Sequence, residues 1–243
     1  WPDGTPGPDI EYGDNPVVIS TDATGYDKDK YYTLNTNLKL NIIIPWVKGL
    51  SLSGNASIDK GFDFRKTWYT PWYLYTWDYT SYDANGKPVL VKGKRGYDDA
   101  RLNQYARDQQ TTSLYGLINY ERTIASDHDI RVMLGAESRK GNAEYFNAFR
   151  RYFVSTAIDE LYAGGAAEKD NNGSGWVNAR QSFFGRINYA YQNKYLLELI
   201  GRYDGSYIFP KNSRFGFFPA ASAGWRLSQE EFWKPIAHIV NDF

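Results

Sequence analysis

The sequence predicts an all-β protein, and more specifically an antiparallel transmembrane β-barrel of which this chain forms an incomplete part. Three observations support this prediction: side chains alternate with a period of two, short and long connections follow each other in strict alternation, and aromatic residues are abundant. Tyr, Phe and Trp make up 17% of the 243 residues, although the mean hydropathy is −0.59. That pairing suits a β-protein with wide aromatic-lined surfaces.

The alternation of side chains defines seven strands. Between Tyr32 and Ile44, alternate positions are mainly apolar and the positions between them are mainly polar, which is typical of a strand with one apolar and one wet face. A second strand follows over 50–58 and completes a hairpin. The remaining strands are predicted at Thr111–Tyr120 with Ile130–Ala136, at Phe183–Tyr191 with Tyr195–Tyr203, and at Phe217–Leu227.

The connections favour a barrel over a soluble β-sandwich, which is the alternative for hairpins of this kind. Short turns are predicted near 45–49, 125–129 and 192–194, and long loops at about 60–108, 141–180 and 205–215. Outer-membrane barrels have short periplasmic turns and long extracellular loops. Strands of about 10 to 13 residues also have the length needed to cross a bilayer at a tilt. Aromatic residues beside the short turns, where an interfacial girdle is expected, are Trp46, Tyr120, Tyr191 and Tyr195.

Each predicted strand presents one face to lipid and one to a wet lumen. The residues expected to face lipid are Leu34, Leu38, Leu40, Leu50, Leu52, Ile187 and Leu197. Those expected to line the lumen are Asn35, Asn37, Lys39, Asn41, Ser51, Ser53, Asn55, Arg186, Asn188, Glu198 and Arg202. Seven strands leave both edges open, so we expect the rest of the barrel to lie outside this sequence.

Several classes of function are disfavoured by composition. Lys plus Arg equals Asp plus Glu at 28 each, so no basic field exists to attract nucleic acid. Cysteine is absent, which excludes disulfides and thiolate metal sites. The two histidines lie far apart, and His128 between Asp127 and Asp129 is more simply a solvated polar turn than a metal site. We therefore predict no enzyme, no cofactor and no bound metal.

One aromatic segment is the candidate binding surface. Its flat rings could stack on the apolar faces of sugars, and nearby carboxylates could hydrogen-bond sugar hydroxyls. The alternative is that the rings form the outer girdle, pack a long loop or contact a lid protein. The candidate ligand-binding residues are Trp68, Tyr69, Trp72, Tyr73, Tyr75, Trp77 and Asp78.

The last third of the sequence resembles a known family. Its segments follow one another in order: Arg180–Tyr191 with Lys194–Glu198, then an Arg-Tyr-Asp-Gly-Ser run at 202–206, then Arg214–Ser228, which contains Gly-Phe-Phe-Pro and Ala-Gly-Trp-Arg. These motifs resemble the barrel of the SusC/RagA family of TonB-dependent outer-membrane transporters. Residues 30–140 resemble the family more loosely.

The resemblance implies a barrel of about 22 strands in the bacterial outer membrane, closed by an N-terminal plug. It also implies a SusD-like surface lipoprotein that acts as a lid and a TonB complex that drives transport, coupled through a plug and TonB box that this sequence does not contain. The cargo expected from the resemblance is an oligosaccharide, with oligopeptide as the alternative. A surface module that binds glycan without transporting it remains a third interpretation.

Overall fold

The computed structural model describes residues 1–8, 14–236 and 238–240. The strands are β1 Gly25–Ile43, β2 Leu50–Tyr69, β3 Trp72–Thr76, β4 Val91–Arg95, β5 Arg101–Ile124, β6 His128–Arg151, β7 Asp170–Tyr191, β8 Tyr195–Ser206 and β9 Phe215–Trp225. Seven of them form one sheet in the order β1-β2-β5-β6-β7-β8-β9, and the two short strands β3 and β4 form a separate hairpin. The all-β fold class predicted from the sequence is confirmed.

Helical structure in the described part of the chain is confined to short pieces. One α-helix, α1, spans Pro16–Ile19, and Asn15 caps it by accepting a hydrogen bond from the backbone N–H of Val17. The 3-10 turns are Asp22–Thr24, Leu161–Ala163, Lys211–Ser213, Leu227–Gln229 and Glu231–Ile236. Within the described ranges, no helix has the length and apolar character required to cross a membrane.

The hairpins lie where the sequence predicts them, but most strands are longer. β5 and β6 run to 24 residues each, and β7 has 22. The connections predicted at about 60–108 and 141–180 therefore shrink to 70–100 and 152–169, and the third to 207–214. The turn predicted at 125–129 is shorter as well, because β6 begins at His128. The short turns occupy 44–49, 125–127 and 192–194.

The described chain divides into two compact units. The first comprises Trp1–Tyr32, Gly61–Asp108 and Glu144–Gly175, and the second comprises Thr33–Lys60, Gln109–Ala143 and Trp176–Phe243. All seven strands of the large sheet contribute residues to the second unit.

The second unit has one apolar and one polar sheet face. β7 and β8 pair antiparallel from Arg180 opposite Ser206 to Tyr191 opposite Tyr195, so that alternate residues share a face. The apolar face is strongly exposed, with Leu38 at 70% and Leu34 at 61%. The polar face is linked by hydrogen bonds and ion pairs, such as the bond of 2.8 Å from Asn55 Nδ2 to Asn37 Oδ1.

Aromatic rings cover glycines of this sheet. A Cβ added to Gly135 would overlap the ring of Phe184, and one added to Gly205 would meet the ring of Phe215. Phe184 lies on the polar face, where it stacks on Tyr115 with ring centroids 6.0 Å apart. Each ring thus fills the space that the glycine leaves open.

An aromatic stack runs beside the short turns of the second unit. The ring of Tyr191 stacks on Tyr195 at 6.3 Å, and Tyr195 stacks on Trp225 at the same centroid distance. Glu230 accepts hydrogen bonds from the Tyr195 hydroxyl at 2.7 Å and from Trp225 Nε1 at 3.1 Å. The carboxylate therefore fixes the segment after β9 against the stack.

His128 joins the same aromatic region. Its Nδ1 lies 2.8 Å from the Tyr189 hydroxyl, and its ring centroid is 5.0 Å from that of Tyr191. No group of three or more His, Asp or Glu side chains within the described ranges is arranged to hold a metal ion. The ring contacts of His128 are those of a packed and hydrogen-bonded side chain.

The first unit contains two small apolar cores. In one, Trp68 packs with Ala100 and Leu102, and the ring of Phe153 meets Trp68 edge-on at a centroid distance of 4.6 Å. In the other, Val18, Trp72 and Leu74 pack together. Residues far apart in sequence therefore hold the connections 70–100 and 152–169 in defined structures.

Ion pairs fix the connection 152–169 within the first unit. Arg151 binds Asp99 in a bidentate manner, with Nη2 to Oδ1 at 2.5 Å and Nε to Oδ2 at 3.0 Å, while its Nη1 lies 2.5 Å from Glu168. The hydrogen bonds from Arg151 hold the pKa of the Asp99 carboxyl below its usual range. The hydroxyl of Tyr152 and then Arg151 lower the pKa of Glu168 in the same way.

The glycine of the first short turn provides a test of the fold. Gly49 has a φ of 86°, and an added Cβ would overlap the carbonyl oxygen of Glu121. The substitution Gly49→Ala should reduce the free energy of unfolding by about 1–3 kcal/mol, because the backbone is strained and the carbonyl must move. Guanidinium unfolding of the full-length protein, followed by tryptophan fluorescence, measures this loss. The matched change Gly116→Ala meets no atom within 4 Å and should stay within about 0.5 kcal/mol of the wild type; equal losses would contradict the assignment.

The Arg151 cluster predicts an acid-sensitive connection. The substitution Arg151→Gln should speed hydrogen exchange over 152–169. Arg150→Gln should not, because among the described residues the side chain of Arg150 donates only to the carbonyl of Phe149. Since the pKa values of Asp99 and Glu168 are lowered in the folded chain, their contribution is present above the ordinary carboxyl pKa of about 4 and is lost as pH falls through the folded values. Exchange corrected for its intrinsic pH dependence should therefore be faster at pH 3 than at pH 7. Equal protection at both pH values would show that the carboxylates do not hold the connection.

Candidate functional site

The aromatic segment predicted from the sequence lies entirely in the first unit. It includes the end of β2, strand β3 and the start of the connection after β3. β3 pairs antiparallel with β4, from Trp72 opposite Arg95 to Thr76 opposite Val91. Consecutive side chains of a strand point in opposite directions, so the predicted residues lie in different environments.

Two of the predicted rings are buried. Trp68 is 4% exposed and Trp72 is 8% exposed, each inside one of the two small cores. Leu74, two positions after Trp72 on β3, is also buried, so this pair of side chains faces the interior of the unit. In this conformation Trp68 and Trp72 position their neighbours and offer no ring face to a ligand.

Tyr69 and Tyr73 expose their rings at 44% and 38%. The ring of Tyr69 meets that of Tyr97 edge-on at 5.3 Å. The ammonium of Lys92 lies 3.8 Å from the ring centroid of Tyr73, which is a cation–π contact. Tyr97 and Lys92 lie across the hairpin and far along the sequence, so no local pattern marked them as members of this surface.

Trp77 forms a second ring cluster in the connection after β3. Its ring lies 5.2 Å from Tyr79 and 5.1 Å from Tyr82, and its Nε1 donates to the carbonyl of Ser81 at 2.8 Å. Tyr75 is half-buried, and its carbonyl accepts a hydrogen bond from Trp1 Nε1. The predicted site residues therefore form two exposed ring surfaces rather than one.

Asp78 has a structural function in the same connection. Its carboxylate accepts hydrogen bonds from the Ser81 hydroxyl at 2.5 Å, the Ser81 N–H at 2.7 Å and the Thr80 N–H at 2.9 Å. These bonds, chiefly those from Ser81, hold the pKa of the Asp78 carboxyl well below its usual range. The carboxylate is ionised at neutral pH, and both of its oxygens already serve the turn that carries Trp77 and Tyr79.

Comparison with known sequences identifies TonB-dependent receptors as relatives. The chain is 30% identical over 160 residues to TonB-dependent receptor P26 of Formosa agariphila, which covers 56% of this chain and 16% of that protein. It is 42% identical over 65 residues to TonB-dependent receptor SusC of Bacteroides thetaiotaomicron, covering 27% of this chain and 6% of SusC. No family model matches the sequence.

Comparison with solved structures agrees. The RagAB peptide transporter superposes with a TM-score of 0.71 at 19% identity, covering 86% of this chain and 21% of that chain. The RagAB peptide importer in its closed-closed state gives a TM-score of 0.69 at 20% identity. The chain thus spans about a fifth or less of the proteins that it matches. Sequence and fold comparisons together confirm the resemblance drawn from the motifs: this chain is SusC/RagA-like, similar to a part of the β-barrel of TonB-dependent transporters.

Proposed function

We propose that this chain is part of a TonB-dependent importer of the bacterial outer membrane, which carries oligosaccharides from the cell surface into the periplasm. The observation that carries the proposal is the apolar sheet face of the second unit. Leu34, Leu38, Leu40, Leu114 and Leu134 are all more than half exposed on strands that also present a polar face. Lipid would cover the apolar face, and an aqueous lumen would hydrate the polar one.

The aromatic stack at the short turns supports the same proposal. Tyr191, Tyr195 and Trp225 lie beside the turns, where the rings of an outer-membrane barrel contact the lipid headgroups. The relatives are receptors and transporters rather than enzymes, so we also propose that the chain has no catalytic activity. A SusD-like surface lipoprotein and the TonB complex are the proposed partners, the latter acting through regions outside this sequence.

Oligopeptide import is the second candidate, and the likeness to the RagAB peptide transporter favours it. The exposed rings Tyr69 and Tyr73 can stack on a sugar ring, and they can equally pack against apolar side chains of a peptide. We propose these two rings as cargo contacts within the predicted aromatic segment, and Trp77 as a third.

Placement of the apolar face in lipid can be tested with one substitution. Leu38 lies near the middle of the part of β1 that belongs to the second unit (33–43). Leu38→Arg should reduce the stability of the barrel by about 2–4 kcal/mol, because it places a charge in the hydrocarbon. The fraction of folded full-length protein in the outer membrane, measured by resistance to unfolding in detergent on gels, reports the loss. Asn37→Arg on the polar face is the control, and equal folding of the two variants would contradict the assignment of faces.

Growth on defined nutrients tests the function. A strain lacking the complete gene should fail to grow on one class of glycan as sole carbon source, and the restored gene should rescue it. A defect only on peptides would establish the oligopeptide alternative. Full growth on every nutrient, together with retained glycan binding by the purified protein, would identify a module that binds without transporting.

The same strain tests the cargo contacts. When the strain is restored with the gene that carries Tyr73→Ala, the variant protein should bind cargo at least about fivefold more weakly than the wild type if the ring is a contact worth about 1 kcal/mol. Tyr162→Ala removes a ring that is 82% exposed in a different connection, and it should leave binding unchanged. Equal binding by both variants would remove Tyr73 from the proposed surface.

A further inference from the structure

A groove of about 730 Å³ crosses the polar face of the second unit where β8 ends beside the middle parts of β6 and β7. The register places its polar side chains together, since Arg180 lies opposite Ser206 and Ser182 opposite Asp204. A Cβ added to Gly135 of β6 would point at Phe184, which lies on the same face of β7 as Arg180. Glu137 and Arg139 follow Gly135 at alternate positions of β6 and therefore share this face.

The groove carries an excess of positive charge. Its lining includes four arginines, at 139, 180, 202 and 214, and two carboxylates, at 137 and 204. Arg202 and Asp204 form a bidentate pair, with Nη2 to Oδ1 at 3.0 Å and Nε to Oδ2 at 3.2 Å. That pair neutralises itself, so the excess charge lies with the remaining arginines.

Arg139 and Arg180 are the free cations of the groove. Arg214 donates its Nε–H to the carbonyl of Phe209 at 3.1 Å, whereas the side chains of Arg139 and Arg180 make no hydrogen bond or ion pair with any residue of the described ranges. Both side chains are exposed. Two guanidinium groups on adjacent strands of one face offer paired donors that match a carboxylate or another oxyanion.

Apolar side chains complete the groove. Ile208, Phe209 and Phe218 line it, and all three are more than half exposed. A groove lined by both guanidinium groups and apolar side chains fits a ligand with an anionic group attached to an apolar or ring-shaped body. An inorganic anion would contact the guanidinium groups but not the apolar side chains.

The groove lies at the end of β8 that is remote from the short turn 192–194, level with the middle of β6 and β7. Along β7 and β8, the pair Arg180–Ser206 is separated from the turn pair Tyr191–Tyr195 by a strand length that crosses the hydrocarbon core. The long connection 207–214 follows directly. If the proposed function is correct, this level is on the extracellular side of the hydrocarbon core, within the lumen that cargo crosses.

We propose that the groove at Arg139 and Arg180 binds an anionic group of the cargo, and that the importer therefore prefers acidic cargo over neutral cargo of the same size. This inference rests on the proposed function for the identity of the ligand as cargo. A carboxylate can come from an acidic sugar or from the C-terminus of a peptide, and the arginines bind both in the same way.

Binding to the purified full-length protein tests the proposal. The probes are two matched pairs: an oligogalacturonide with the neutral galactose oligomer of equal length, and an N-acetylated hexapeptide with a free or an amidated C-terminus. The variants are the double substitution Arg139→Gln with Arg180→Gln, and the control Lys39→Gln, which removes a cation from the polar face of β1. Calorimetry measures each affinity.

We expect the wild type to bind the acidic member of at least one pair more tightly than its neutral counterpart. The double variant should lose about tenfold or more of that affinity, while its affinity for the neutral member and all affinities of the control variant change less than twofold. The pair that shows the difference identifies the source of the carboxylate. Equal binding of acidic and neutral probes by the wild type, or an unchanged acidic affinity in the double variant, would overturn the proposal.

Antibiotic sensitivity and growth distinguish cargo binding from a role of the arginines in holding a plug. If the arginines hold a plug in place, the double variant should make cells sensitive to vancomycin while probe binding stays unchanged, and the proposal fails. Growth on cargo tests the function independently of the groove. Import by the wild type with arginine-independent binding would reject the groove alone, whereas arginine-dependent binding without any import would reject the transport function alone.

Discussion

Backbone pairing between neighbouring strands is the constraint on which the rest of this structure depends. The register from Arg180 opposite Ser206 to Tyr191 opposite Tyr195 determines which face each side chain occupies. A slip of one residue would move Leu197, Leu199 and Tyr203 of β8 to the polar face and separate the rings of the aromatic stack. The pairing of Tyr191 with Tyr195 in the stack and of Arg180 with Ser206 in the groove follows from this register. A bilayer would enforce backbone pairing, because no water is present there to satisfy an unpaired backbone group.

The sequence predicts the hairpins well because their signal is local. Alternation of polar and apolar residues within ten positions, interrupted by short turns, locates the three hairpins and β9. The outer parts of the strands have no such signal. Residues 170–175, for example, are Asp-Asn-Asn-Gly-Ser-Gly, a composition typical of loops, yet they begin β7. An added Cβ on Gly173 would meet the carbonyl of Tyr145, so the neighbouring strand decides the conformation there and local propensity does not.

The sequence locates the segment that carries the proposed binding surface, but it does not show which side chains of that segment are exposed. In the sequence, Trp68 and Tyr69 are adjacent aromatic residues, and nothing distinguishes one from the other as a ligand contact. The structure buries Trp68 against Ala100, Leu102 and Phe153, residues that are between 32 and 85 positions away along the chain. The two free arginines illustrate the same limit, because only strand pairing brings β6 and β7 together. Side chains that lie close to one another through long-range pairing leave no periodic trace in a single sequence.

The rings that cover glycines have a consequence for how such barrels diverge. At Gly135 and Phe184, and again at Gly205 and Phe215, a small residue on one strand and a ring on its neighbour share a single volume. Neither member can enlarge or shrink alone without an overlap or a void. The two members of each pair should therefore change together during evolution. Substitutions at these positions should accumulate more slowly than at the exposed leucines, because fluid lipid adapts to apolar side chains of different shapes.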